Sequence, residues 1–166
     1  MTPHNETIEI YTDGSCHTQL NIGAWAALLL IGDKKIMLSG KEICTTHNRM
    51  ELTAVIKAIE YVQKNFNKTG ALTIVSDSQY VVGLTARKEK LTRLYFATKK
   101  GNEIRNASLV KQLLDYTDSL TIQFIKIKAH QKKTDTINYN IEVDKLSRKI
   151  VREAVGIEMG DISIEI

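Results

Sequence analysis

The chain has 166 residues, 43% of them hydrophobic and 25% charged, which suits one globular domain with a buried core. No apolar run approaches the roughly 18 residues of a membrane-spanning helix, and the opening MTPHNETIEIYTDGS has no basic-then-apolar leader pattern, so neither a span nor a signal peptide is expected. The net charge of +4 is mild, and two cysteines without CxxC spacing, Cys16 and Cys44, suit a reduced cytoplasmic protein better than a disulfide framework.

Residues 7–12, TIEIYT, alternate apolar and polar as a half-buried strand does, and DGS at 13–15 is expected to end it. GAWAALLLI at 23–31 is a nearly continuous apolar strand, GDKK at 32–35 a hairpin turn, and KIMLSGKEI at 35–43 a third strand. The period then changes: Leu52, Val55, Ile56, Ile59, Val62 and Phe66 recur at three and four, predicting a helix over about 48–66. Glu51 falls in its first turn. ALTIVS at 71–76 is a short buried strand, and strand–helix–strand implies a parallel pairing with a right-handed crossover. SQYVVGLTAR starts a helix capped near Ser78, and SLVKQLLDYT is a helix capped by Ser108. LTIQFIKIKA at 120–129 is a fifth strand, HQKKTDTINYN a polar loop, and IEVDKLSRKIVREA at 141–154 a final helix. The expected fold is α/β: a five-stranded mixed sheet in the order β-β-β-α-β-α-α-β-α, helices on both faces, in one domain over residues 1–155. The tail 156–166 reads as an extra edge strand or as disorder.

Charge is distributed unevenly. Arg87, Lys88, Lys90, Arg93, Lys99, Lys100 and Arg105 face only Glu89 and Glu103 between positions 87 and 105, and a second basic group is Lys126, Lys128, Lys132 and Lys133. A charge run is most often a solvated helix face.

Four acids fall at or near element ends. Asp13 and Asp77 each follow a strand, and if those strands are parallel neighbours they stand side by side at the edge where open α/β sheets bind ligands. Glu51 arrives there on its helix, and Asp144 lies in the first turn of the last. Such acids repel one another unless a cation neutralises them. Oxygen ligands without clustered histidine or cysteine suit Mg2+ or Mn2+, and two such ions about 4 Å apart can clamp the attacking and leaving oxygens of a phosphodiester. His130, in the loop before Asp144, is placed to move a proton or help release product. Each piece has an ordinary reading: DGS as a turn, SDS as a cap, Glu51 and Asp144 as helix-dipole partners, His130 as a solvated loop histidine.

YTDGSC (11–16), THNRMEL (46–52), SDSQYV (76–81), KAHQ (128–131) and NIEVDKL (140–146) resemble, in order and spacing, the motifs of the bacterial-type (type 1) ribonuclease H family. The resemblance runs from about residue 7 to 154. It implies Mg2+-dependent endonucleolytic cleavage of the RNA strand of RNA–DNA hybrids, leaving 5′-phosphate and 3′-hydroxyl ends, by a monomer. It implies that Asp13, Glu51, Asp77 and Asp144 are metal ligands and His130 a mobile histidine. Cys16, Gln19, Asn48 and Gln79 fall where the family contacts the hybrid, Thr46 where it holds a DNA phosphate, and the basic segment, with Lys99 and Lys100, where a protrusion grips DNA. Departures from the pattern are Gln19 and His47 in place of frequent asparagines, a protrusion without tryptophan, and a loop before Asp144 without the usual glycines. A hybrid-binding module without catalysis, a nuclease of another DNA substrate and a small-molecule phosphatase are the competing readings. The four acids, the hybrid-contacting positions and the basic protrusion argue against them in turn.

Overall fold

The computed structural model describes residues 7–66, 70–129 and 138–159. Five strands, β1 (Ile8–His17), β2 (Ile22–Ile31), β3 (Lys34–Glu42), β4 (Leu72–Ser76) and β5 (Ile122–Lys126), form one sheet in the order β3-β2-β1-β4-β5. The first three make the expected antiparallel meander, turning between β2 and β3 on Gly32, whose φ of 56° is open to glycine without strain. β4 and β5 join in parallel. β1 outruns its expected end. It continues through Asp13 to His17, paired with β2 all the way, because DGS here extends a hairpin ladder rather than breaking it.

Helix α1 (His47–Asn65) carries the crossover from β3 to β4. Its N-cap is Thr46, whose hydroxyl oxygen accepts from the Arg49 N–H at 3.2 Å. Three short pieces follow β4: α2 (Gln79–Gly83), capped by Ser78 as expected, a turn of 3-10 helix (Thr85–Arg87), and α3 (Lys88–Arg93). The sequence suggested one helix here, so the described residues hold one α-helix more than anticipated. α4 (Ala107–Ser119) starts after Asn106 in the left-handed region, φ 58°, rather than at a Ser108 cap. α5 (Tyr139–Glu158), capped by the Asn138 side chain, begins two residues before the expected 141 and runs four past the expected 154.

The period-two pattern of the central strands divides the core. Ile8, Ile10, Ala27, Leu29 and Ile74 face α1 and α4, where Leu52, Val55, Ile59, Val110 and Leu113 cover them. Ala26 and Leu28 point the other way, against Val143, Tyr11, Tyr139 and Leu146 on the α5 side. Both faces of β2 are thus covered, which is why its sequence is a continuous apolar run rather than an alternating one.

Candidate active site

Parallel pairing of β1 with β4 ends at Thr12 opposite Ser76, so the next residues, Asp13 and Asp77, leave the end of the ladder as neighbours. Glu51 reaches them from α1. A β-carbon on Gly14 would lie 2.4 Å from the Glu51 backbone nitrogen and 2.6 Å from the Met50 carbonyl carbon, so only glycine lets α1 approach β1 this closely. Asp13, Glu51 and Asp77 each offer a ligand atom within 4.8 Å of the others. Glu51 is the fifth residue of its helix and Asp144 the sixth of α5, both beyond the first turn where the sequence placed them. The ordinary helix-dipole reading therefore weakens, since that effect fades beyond the first turn.

Burial and crowding shape the protonation of the cluster. Asp13 is 3% exposed and Glu51 2%. Burial, then the charges of Glu51 and Asp77, with hydrogen bonding to Asp144 and Glu51 adding, push Asp13 up to about 10. Glu51 is pushed up to about 8, by burial first and then by the charge of Asp77, while hydrogen bonding to Asp13 and the Gly14 N–H pulls it back. Both shifts run toward the protonated acid, the direction that mutual repulsion in a buried cluster imposes. Glu51 Oε2 is buried without a hydrogen-bond partner. Hard oxygen donors, mutual repulsion and an orphaned carboxylate oxygen fit a divalent cation of the Mg2+ or Mn2+ class.

The stretch of α5 around and just beyond Asp144 is tied to β1 and to its own next turn. Ser147 Oγ shares a 2.9 Å hydrogen bond with Ser15 Oγ on β1, and Arg148 Nε forms an ion pair with Asp144 Oδ1 at 3.1 Å. The four acids open into a cleft of about 710 Å³ whose lining includes Cys16, Asn48, Gln79 and Arg148. Thr46 opens instead into an adjoining cavity of about 380 Å³, with Tyr80, Arg87, Arg105 and Asn106. Gln19 lies exposed in the turn after β1 and does not line the cleft, so the structure does not bring it to the acids. Lys99 and Lys100 lie exposed in the turn of the protrusion, lining neither cavity. His130 lies outside the described residues.

Sequence reasoning missed His47, whose Nε2 is 3.1 Å from Glu51 Oε1, and Arg148 beside Asp144. Both stand in i,i+4 relation to a cluster acid, a spacing readable on any helix. It also missed Asn106, whose signal was an asparagine just before an apolar-periodic run.

The RNase H family model matches residues 5–152. Ribonuclease H of Chlorobium luteolum is 35% identical over 148 residues, 88% of this chain and 96% of that protein. Ribonuclease H of Caldicellulosiruptor saccharolyticus is 32% identical, with 88% and 97% covered. The crystal structure of LC9-RNase H1, described as a type 1 RNase H with the type 2 active-site motif, superposes with a TM-score of 0.74 at 19% identity, covering 89% of this chain and 72% of that one. The sheet order and the motifs agree with these matches, and the chain belongs to the ribonuclease H family of enzymes.

Proposed function

We propose that this enzyme cleaves the RNA strand of RNA–DNA hybrids internally, by two-metal-ion catalysis, leaving 5′-phosphate and 3′-hydroxyl ends. The observation that carries the reading is the cluster of Asp13, Glu51 and Asp77 within 4.8 Å, in a chain of this family. In this reading Asp13, Glu51, Asp77 and Asp144 hold two divalent ions, Mg2+ or in its place Mn2+. When bound, such ions stabilise charge on the attacking and leaving oxygens of a phosphodiester.

The chain's own residues bind and orient the hybrid. Cys16, Asn48 and Gln79, on the cleft wall, suit the sugars and base edges, where 2′-hydroxyls distinguish RNA from DNA. Thr46, with Arg105 and Asn106 across the adjoining cavity, suits a DNA phosphate. Gln19 has no such support. Lys99 and Lys100 add sequence-independent affinity along the DNA strand, and His130 moves a proton or assists product release. Among the described residues no helix is long and apolar enough to cross a membrane, and both cysteines are free. The proposal includes action as a monomer in the cytoplasm, with residues 1–155 as the catalytic domain.

The test is cleavage of a labelled hybrid with Mg2+, beside duplex DNA, duplex RNA and the Asp13→Asn protein. Cutting confined to the hybrid's RNA, abolished by chelator and reduced at least a thousandfold in the variant, is the expected result, on the scale of losing a group that acts in the transition state. Tight binding of the hybrid without cutting in either Mg2+ or Mn2+ would overturn it in favour of a binding module.

A further inference from the structure

Glu51 is a long side chain whose carboxylate rotates over a broad torsional range unless something holds it. Its burial supplies walls, but Oε2 has no hydrogen-bond partner. Oε1 has one. His47, one turn earlier on α1, places Nε2 at 3.1 Å from it. The imidazole is 60% exposed and lines both the acid cleft and the adjoining Thr46 cavity, so it stands at the rim while its nitrogen reaches inward. An N–H turned toward Oε1 at that distance adds to the hydrogen bonding from Asp13 and the Gly14 N–H in setting the plane of the carboxylate, and leaves Oε2 as a donor on the buried side.

We propose that His47 is a positioning residue for Glu51, orienting its carboxylate for a divalent ion through the 3.1 Å Nε2–Oε1 contact. The inference rests on the metal-site reading above. Outer partners of metal ligands act in this way, and losing one typically costs about 10- to 100-fold in metal affinity. The role needs a neutral or charged N–H at one position, not a change of protonation.

Side-chain reach provides the test. Glutamine carries its amide nitrogen four bonds from Cα, as far along as histidine Nε2, whereas asparagine carries it only three and falls short. Titrating Mn2+ or Mg2+ into the hybrid-free protein by calorimetry should show affinity weakened about tenfold in His47→Asn and His47→Ala, and kept within about twofold of the parent in His47→Gln. The metal concentration for half-maximal cleavage should move by the same factor, with KM for the hybrid unchanged. Ion affinities equal to the parent in all the variants would overturn the inference. So would a glutamine variant as weak as the alanine one, or a KM effect alone, which would make His47 a hybrid contact. A lower melting temperature with intact ion affinity would show a merely structural helix contact. Parent protein that takes up no divalent ion would remove the proposed function itself, a different result from all of these.

Discussion

Asp13 and Glu51, at 3% and 2% exposure, stand on β1 and α1, which meet backbone to backbone at Gly14; Tyr95, at 89%, stands on the protrusion between α3 and α4. The acid cluster is held by a sheet register, by a glycine that lets α1 touch β1, and by helix faces buried in a shared core. The protrusion is held by little: Leu91 and Ile104 against the core, a Phe96 ring under the Lys111 ammonium at 5.1 Å, a Lys88–Asp118 ion pair and a few turn hydrogen bonds. Two successive residues there, Tyr95 and Phe96, have φ of 53° and 58°, a conformation few side chains favour. Chemistry needs carboxylates placed to within about an ångström. Attraction to a polyanion does not, because phosphate contacts work through charge over a Debye length of about 8–10 Å. The two regions are built to those different tolerances.

A pair of glycine substitutions breaks the comparison most sharply. Gly14→Ala puts a β-carbon into the backbone of α1 and forces the helix away from β1. The expected cost is about 1–3 kcal/mol of stability and about a 100-fold fall in kcat as Glu51 is displaced. Gly101→Ala, in the protrusion turn, meets nothing within 4 Å and suffers only from its φ of +83°. It should lose about 1 kcal/mol and keep kcat. Melting curves and single-turnover rates on both proteins check this. Equal losses of kcat would mean that the cluster tolerates movement as well as the protrusion does.

A smaller effect is read from pH. Asp13 and Glu51 are held protonated in the folded, metal-free protein up to about 10 and about 8, against ordinary carboxylate values when unfolded. The folded state therefore binds more protons than the unfolded state through this window. The resulting stability is fully present below the unfolded values, near pH 4, and is lost as pH rises through the folded ones. In chelator the melting temperature should fall between pH 5 and 9, and saturating Mg2+ should flatten the fall by taking over the role of the protons. Charge changes in the protrusion, such as Lys99→Gln, should leave this slope unaltered. A metal-free melting temperature that rises across that window would contradict the crowded, buried cluster.

Much of the cluster was legible in the sequence because it depends on register and period, which local patterns encode. Strand β1 and strand β4 each end their shared ladder one residue before an aspartate, and the α1 stripe from Leu52 to Val62 left little doubt about which face met the sheet. Boundaries were less legible: Thr46 and Asn138 start α1 and α5 earlier than the apolar stripes do, which moved Glu51 and Asp144 from the first turn to the second. The reach of β1 to His17 was hidden because DGS has turn composition, and only its partners on β2 keep it extended. Least legible was the protrusion. Its path depends on left-handed backbone at Tyr95 and Phe96, which their side chains disfavour, and at Asn106, where asparagine tolerates it.

Lys99 and Lys100 give the mildest contrast with the cluster, and the one that reports directly on function. They are exposed, and the turn around them closes through Gly101 N–H donating to the Thr98 carbonyl at 2.9 Å, with a bridge between Ala97 and Glu103 behind it. Replacing both with glutamine removes two positive charges without touching the core, so stability should hold. If each meets a phosphate, the slope of log affinity against log salt should flatten by about 0.9 per lysine. KM for long hybrids should rise several-fold at low salt and converge on the parent value at high salt, where screening already removes the contribution. Short hybrids that cover the cleft but not the protrusion should show no difference, and kcat should be untouched in both. An unchanged KM and salt slope on long hybrids would leave the two lysines as solvating charges, and the search for the DNA grip would move to Arg87 and Arg105 on the wall of the Thr46 cavity.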